Sequence, residues 1–228
     1  MKSHRIPEET VARLPLYVEA LHRLAAEGLT ITSSRELAEA AGSNPAQLRK
    51  DLSYLGDFGT PGVGYDVNTL LTQLSRHLGL NRIWRVAIVG HGNLGSALAS
   101  YGGFRERGFQ VVAIFDNDPA KIGRRVGDLQ ISDIQSMARV VRELDVDFGV
   151  IATPASAAQQ AANQLVAAGV RSILNFSPIV LAVPPYVTVR QIDLSLEMQI
   201  LSFYEMLNVD IELQRLLRDE SLGEHSGD

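Results

Sequence analysis

A glycine-rich turn at residues 90–95 restricts what this chain of 228 residues can fold into more than any other stretch. The turn reads GHGNLG and follows the apolar run 86–89, which has the composition of a buried strand. In a strand–turn–helix unit, Gly90 allows the turn, Gly92 lets the backbone approach a pyrophosphate, and Gly95 lets the helix pack on the sheet. Because the helix N-terminus faces the phosphates, we predict a dinucleotide site. The glycines that form this predicted site are Gly90, Gly92 and Gly95.

An acidic residue, Asp116, ends the next apolar run, about 20 residues after Gly95. A carboxylate there accepts hydrogen bonds from the hydroxyls of the adenine ribose and repels a ribose 2′-phosphate, so the sequence favours NAD(H) over NADP(H). Lys121, Arg124 and Arg125 follow. They would weaken this preference if one of them turned into the pocket; the alternative is a solvated loop. We include Lys121 among the candidate cofactor-binding residues.

Apolar runs at 85–89, 109–115, 148–152 and 172–175 alternate with stretches of helical character, such as 155–168. This alternation predicts an α/β fold with a doubly wound parallel sheet. A further helix is predicted over 197–218. Its apolar stripe packs either on its own domain or on a second copy of the chain. The stripe consists of Ile200, Phe203, Leu207, Ile211 and Leu217.

One longer helix followed by two short helices is predicted at the start of the chain, and a further helix is predicted over 68–78 before the sheet domain. The first, over 7–27, has apolar residues at helical spacing and a bend at Pro15. The second opens at Ser33, with Glu36 completing a capping box, and the third follows Asn44. This is a helix-turn-helix pattern. The apolar positions of the first helix are Val11, Leu14, Val18, Leu21 and Leu24.

Residues 56–65 contain four glycines and suit a hairpin wing beside the third helix. Such a domain places residues 47–54 in a DNA major groove, with Arg49 and Lys50 on phosphates or guanine edges and polar side chains on the backbone. The alternative is a small helical bundle with a solvated charged face. Residues 1–80 hold eight Lys and Arg against nine Asp and Glu, so affinity must come from a local cluster doubled by a two-fold dimer. The predicted contacts in this helix are Gln47, Arg49, Lys50, Ser53 and Tyr54.

Composition excludes several classes of function. The chain has no cysteine, which excludes disulfides, thiol catalysis and thiolate metal sites; we predict no metal. No run approaches the roughly 18 apolar residues of a membrane span, and the first residues lack the apolar region of a signal peptide. We therefore expect a cytoplasmic protein.

A hydride-transferring enzyme needs an acid or base beside the nicotinamide. No histidine is placed for that role, and the sheet domain has one lysine near the adenosine end, so we infer binding without turnover. An NAD-dependent dehydrogenase with an N-terminal helical appendage and a binding module for another nucleotide, such as coenzyme A, remain alternatives. The five histidines are His4, His22, His77, His91 and His225.

Over essentially its whole length, the sequence resembles the Rex family of bacterial redox-sensing repressors. The matching segments are 49–54 in the third helix, 62–65 in the wing, the turn 90–95, 115–119, 175–178 and 192–194. The resemblance implies a homodimer that binds operator DNA and is released by NADH, whereas NAD+ permits or favours DNA binding. It also implies a winged-helix domain over 1–80, a Rossmann NAD(H)-binding domain over 81–196, and a swapped dimerisation helix and tail over 197–228.

The resemblance also carries over further site residues. Gly92, Asn93 and Leu94 would hold the pyrophosphate, and Asp116 would hold the ribose. Tyr65 would belong to the DNA-binding wing, and Tyr101 and Asp193 would belong to the polar group that reports the cofactor state. The residues that would line the nicotinamide side are Ala152, Thr153, Pro154, Asn175, Phe176 and Ser177.

Two positions depart from the family pattern. Pro61 stands where the wing commonly carries a basic residue for the minor groove, and Glu19 stands where some members carry an arginine that pairs with the Tyr/Asp group. Asp193 would then lack that cation unless Arg23, one helical turn on, substitutes for it.

Overall fold

The computed structural model describes the backbone of residues 6–223 and the side chains of residues 6–208. The chain divides into two compact units, Met1–Ile83 and Trp84–Asp228, close to the predicted boundary near residue 80. His4 and His225 lie outside the described residues, as do the side chains of Ile211 and Leu217.

The first unit contains four helices and two short strands within its described residues. They are α1 (Glu8–Ala26), β1 (Ile31–Thr32), α2 (Ser34–Ala40), α3 (Pro45–Ser53), β2 (Tyr65–Asp66) and α4 (Val67–His77). Strands β1 and β2 pair antiparallel. Ser33 and Glu36 form the predicted capping box at α2, and the Asn44 side chain caps α3, so the helix-turn-helix pattern is confirmed.

Helix α1 runs through Pro15 without interruption. An interior proline costs a helix about 3 kcal/mol, and the burial of Tyr17 and Leu21 beside it offsets that loss. Val11 is 44% exposed, so its place on the predicted apolar face is wrong. Tyr17 and Ala20 are buried instead.

The wing, residues 56–65, is a tight turn closed by one bridge between Thr60 and Gly64 rather than a pair of strands. The Thr60 N–H donates to the Gly64 carbonyl at 2.9 Å, and the Gly64 N–H donates back at 3.0 Å. Gly62 and Gly64 have φ values of 80° and 109°, in the region that favours glycine.

The second unit is built on a seven-stranded sheet with the order β5-β6-β4-β3-β7-β8-β9. All neighbouring strands are parallel except β5 and β6. The strands are β3 (Trp84–Val89), β4 (Phe109–Asp116), β5 (Arg125–Val126), β6 (Leu129–Asp133), β7 (Phe148–Ile151), β8 (Ser172–Asn175) and β9 (Thr188–Gln191). The helices are α5 (Asn93–Ala99), α6 (Gly102–Glu106), α7 (Met137–Glu143), α8 (Ala155–Ala167) and α9 (Leu194–Gly223).

The parallel α/β sheet confirms the predicted fold class, and its six parallel strands follow the Rossmann order. Helices α7 and α8 pack on one face, where Met137, Val141 and Leu165 join the buried core. The other face is only partly covered, and an apolar groove of about 570 Å³ runs along it, lined by Phe104, Phe148 and Leu174 among others. None of the helices in the described part of the chain is long and apolar enough to cross a bilayer.

Candidate nucleotide site and nucleic-acid interface

The candidate nucleotide site lies at the carboxyl ends of β3 and β7. These strands are neighbours, and the chain leaves β3 toward β4 on one side before it returns to β7 on the other. Ligands of open parallel sheets bind in the crevice outside such a reversal point. The turn 90–92 after β3 and residues 152–154 after β7 both lie at this edge.

The three glycines of the turn have different surroundings. Gly90 has a φ of 95°, and a Cβ there would lie 2.7 Å from the Ala152 carbonyl oxygen. A Cβ at Gly95 would lie 1.9 Å from the Gly90 carbonyl oxygen. A Cβ at Gly92 would meet nothing within 4 Å. Gly90 and Gly95 are therefore required by packing, whereas Gly92 borders open space that a ligand can fill.

Asp116 ends β4 beside this turn and is almost completely buried. Its Oδ2 accepts from the His91 N–H at 2.7 Å, and its Oδ1 accepts from the Asp118 N–H at 2.9 Å. Burial alone would raise the pKa of Asp116, but these backbone hydrogen bonds and the Lys121 ammonium outweigh burial and lower it. The carboxylate therefore stays ionised, as recognition of ribose hydroxyls requires.

Lys121 is half-buried, and its Nζ lies 3.2 Å from Asp116 Oδ2. The solvated-loop alternative is therefore wrong for Lys121. Arg124 and Arg125 are both exposed, Arg124 in a loop and Arg125 at the start of β5. A carboxylate offers about four acceptor positions, and three of those of Asp116 are in use.

The predicted nicotinamide side is a hydrogen-bonded wall. Asn175 is fully buried, and its Nδ2 donates to the Ile179 carbonyl at 2.9 Å and to Gln191 Oε1 at 2.7 Å. Gln191 Nε2 donates to the Ser177 carbonyl at 2.7 Å, and the Ser177 hydroxyl donates to the Thr153 carbonyl. The loops after β7 and β8 and the end of β9 are thus tied together. Sequence reasoning missed Gln191, which stands in a short, largely exposed strand.

The crevice fits a dinucleotide. The Thr153 side-chain oxygen is buried at this edge of the sheet and has no hydrogen-bond partner in the protein. The gap beside Gly92 gives a pyrophosphate access to the backbone at the start of α5. Leu94 in the first turn of α5 is 38% exposed.

Tyr101 and Asp193 lie apart from these hydrogen bonds. Tyr101 is 55% exposed and borders the apolar groove. Asp193 Oδ1 accepts from the Ser195 hydroxyl at 2.6 Å and from its N–H at 2.9 Å. These bonds lower the pKa of Asp193, which caps the start of α9 as an anion.

The candidate nucleic-acid interface is the outer side of α3. Arg49, Lys50 and Ser53 are exposed, and Tyr54 is partly exposed. Arg49 Nη1 donates to Ser34 Oγ at 3.1 Å, which joins α3 to the start of α2. A concave space of about 720 Å³ separates α3 from the wing.

Gln47 belongs to a buried cluster centred on Asp51. Gln47 Nε2 donates to Asp51 Oδ1 at 2.9 Å. From α1, Thr10 and Tyr17 donate to the same carboxylate at 2.8 and 2.7 Å, and Arg13 Nε lies 2.6 Å from Oδ2. The Gln47 side chain is therefore engaged inside the unit, and sequence reasoning missed Asp51.

Three further residues singled out from the sequence also lie in the first unit. Tyr65 is buried, and its ring would lie 2.9 Å from a Cβ at Gly59, so it packs beneath the wing. Arg23 donates to the Ala40 carbonyl within the first unit, and Glu19 is exposed.

Two family models match the chain. One, described as "Putative DNA-binding protein N-terminus", covers residues 5–53, and the other, described as "CoA binding domain", covers residues 81–179. The redox-sensing transcriptional repressor Rex of Streptomyces griseus is 53% identical over 99% of this chain and 86% of its own length. The protein of the same name from Carboxydothermus hydrogenoformans is 49% identical over 89% of this chain and 98% of its own length.

Solved structures agree. The crystal structure of RSP in complex with β-NAD+ and operator DNA is 34% identical, covers 92% of this chain and 96% of that chain, and has a TM-score of 0.85. The complex of RSP with β-NADH is 33% identical, covers 93% of this chain and 99% of that chain, and has a TM-score of 0.82.

Proposed function

This chain belongs to the Rex family of redox-sensing transcriptional repressors, and we propose that it binds operator DNA as a homodimer and leaves that DNA when NADH binds. The observation that carries the proposal is the crevice between β3 and β7 with ionised Asp116 beside it, in a chain that also holds a helix-turn-helix. The relatives are described as repressors, so the dehydrogenase alternative is not supported. We place its action in the cytoplasm, where DNA and NAD(H) meet.

The cofactors are NADH and NAD+. Gly92, Asn93 and Leu94 hold the pyrophosphate, and Asp116 holds the ribose. The nicotinamide lies against residues 152–154 and 175–177. The nicotinamide ring supplies the signal, because it is cationic when oxidised and neutral when reduced. An enclosed apolar pocket favours the neutral ring, since burying an unpaired charge is costly. The alternative of coenzyme A gives Asp116 no comparable role.

Operator recognition relies on α3. Arg49 and Lys50 supply contacts to phosphates or guanine edges, and Ser53 and Tyr54 supply contacts to the backbone. Gln47 and Tyr65 support this surface from within, because both are engaged in the core of the first unit. The wing carries Pro61 and no Lys or Arg, so few phosphates are neutralised and the salt dependence of binding is moderate.

A second copy of the chain covers α9. The large apolar side chains of its first four turns are 42–67% exposed, so this part of α9 does not pack on its own domain. A continuous apolar surface of this kind marks an interface. The unfilled groove on the sheet offers a complementary apolar surface. The exposed residues are Leu194, Leu196, Met198, Ile200, Leu201, Phe203, Tyr204, Met206 and Leu207.

Release follows from differential binding. NADH selects a dimer in which the two recognition helices no longer match successive major grooves, and Tyr101 and Asp193 report the cofactor state. Because the coupling is reciprocal, operator DNA weakens NADH binding by the same factor that NADH weakens DNA binding. Glu19 stands where some family members carry an arginine, and Arg23 already donates to the Ala40 carbonyl within the first unit.

The test is DNA binding with each cofactor form. Operator sequences are first selected from a random duplex library in the presence of NAD+, and fluorescence anisotropy then follows a labelled duplex as NADH or NADPH is added. We expect NADH to release the duplex at concentrations where NADPH does not. A complex that survives NADH, with calorimetry showing NADH bound, would refute the release mechanism.

A further inference from the structure

Three buried side-chain atoms lack a hydrogen-bond partner in the part of the chain whose side chains are described: His91 Nε2, Thr153 Oγ1 and Gln164 Oε1. A buried polar atom without a partner is unfavourable and rare. Two of these three atoms belong to residues on either side of Gly90, because a Cβ at Gly90 would lie 2.9 Å from Thr153 Cγ2. The unused hydrogen-bonding capacity is therefore concentrated at the nucleotide crevice.

His91 is the stronger candidate because its backbone N–H has a hydrogen-bond partner, whereas its imidazole Nε2 has none. Its N–H donates to Asp116 Oδ2 at 2.7 Å, which fixes the backbone of the turn. Its imidazole Nε2 has no partner. The next residue, Gly92, borders open space, which is where a pyrophosphate approaches the backbone.

We propose that the His91 imidazole turns into the crevice when the cofactor binds, so that its Nε2–H, buried in the free protein, donates a hydrogen bond to a pyrophosphate oxygen. The partner missing in the free protein is then supplied by the ligand. This inference rests on the proposed NADH site. It also predicts which ligands the site recognises: a nucleotide with a pyrophosphate, such as ADP-ribose, receives the hydrogen bond from His91, whereas adenosine does not.

Substitutions of His91 separate binding from structure. His91→Gln keeps an N–H donor at about the position of Nε2. His91→Asn places its donor closer to the backbone, and His91→Leu removes the donor. We expect the Kd for NADH and for ADP-ribose, measured by calorimetry, to rise about 10- to 100-fold in the Leu and Asn variants and to stay near wild type in the Gln variant. The affinity for adenosine, measured by its competition with NADH, is expected to stay the same in all three variants.

A matched control uses the third unpartnered atom. Gln164 lies nine residues beyond the start of α8, about 14 Å along the helix axis. Both Gln164→Leu and His91→Leu remove a buried unpartnered atom, so both are expected to keep or raise the thermal stability of the ligand-free protein. Only His91→Leu is expected to lose NADH affinity.

The binding results distinguish the role of His91 from the existence of the NADH site. If wild type binds NADH and His91→Leu binds it equally well, or if His91→Leu loses stability while keeping affinity, the role of His91 is refuted and the NADH site stands. If NADH affinity falls while ADP-ribose affinity does not, the pyrophosphate contact is wrong. If wild type binds no NADH, both proposals fall.

Discussion

Replacing Asp51 by Asn tests how the recognition helix is held. The fully buried carboxylate accepts hydrogen bonds from four side chains, three on α1 and one on α3. An asparagine keeps the shape but turns an NH2 group toward donors, so at least one donor loses its acceptor and Arg13 loses its counter-charge. We expect the first unit to lose stability and α3 to lose its position on α1.

The expected loss in the free energy of unfolding follows from the burial of this ion pair. Removing one partner of a buried ion pair costs about 3–5 kcal/mol. The Arg13 side chain is 28% exposed and keeps part of its hydration, whereas Thr10 and Tyr17 are buried. We therefore expect a loss near the lower limit, about 3 kcal/mol. Domains are stable by about 5–15 kcal/mol, so the variant stays folded and both ligands can be titrated.

The effect depends on pH in a defined direction. Burial alone would raise the pKa of Asp51, but the hydrogen bonds from Arg13, Tyr17, Thr10 and Gln47 outweigh it and hold the pKa far below its usual range. A depressed folded pKa stabilises the protein above the unfolded value, and this contribution falls as the pH drops below about 4. The gap between wild type and Asp51→Asn is therefore constant from pH 5 to 8 and narrows below pH 4.

Urea unfolding gives the free energies, and hydrogen exchange of peptides from α1 and α3 assigns the loss to the first unit. Operator affinity should fall at least about tenfold, the equivalent of about 1.4 kcal/mol, while the NADH affinity stays unchanged. Glu39→Gln, which neutralises an exposed carboxylate on α2, is the matched control. A stability gap below about 1 kcal/mol at pH 7, the value of an exposed pair, or a gap that widens toward acid, would refute the reasoning.

Three further predictions concern the ligand sites. Asp116→Ala should weaken NADH binding about tenfold or more and remove the discrimination against NADPH, with Lys121 then free to meet the 2′-phosphate; calorimetry with both nucleotides measures this, and unchanged discrimination would contradict it. Arg49→Ala should weaken operator binding about 5- to 150-fold without changing NADH affinity; anisotropy and calorimetry on the same preparation decide. Gly92→Ala should fold normally and lose NADH affinity, whereas Gly95→Ala, whose Cβ would lie 1.9 Å from a carbonyl oxygen, should lose stability; equal thermal stability of the two would contradict this contrast.

Local patterns in the sequence predicted local structure well. The capping box at Ser33 and the cap at Asn44 are determined by neighbouring residues, and the structure has both. The glycine turn and Asp116 also follow from short-range requirements, a positive φ and a strand end beside the turn. Such features need no knowledge of distant contacts.

Features that depend on distant partners were missed. Strands β6 and β9 contain polar residues between their apolar ones and so lack a continuous apolar run. Periodicity therefore did not reveal them. Asp51 and Gln191 are polar residues whose roles arise only when other elements are folded against them.

The hydrogen bonds at the end of β9 have a mechanical consequence. The Ile192 N–H donates to the Asn175 carbonyl at 2.8 Å, and only Ile192 and Asp193 lie between β9 and α9. Helix α9 has 30 residues, a length of about 45 Å. Its first residue follows closely on the hydrogen-bonded residues Asn175 and Gln191 of the predicted nicotinamide side. A small rotation at the start of the helix is therefore amplified along its length: a tilt of the helix axis by about 5° displaces the far end by about 4 Å.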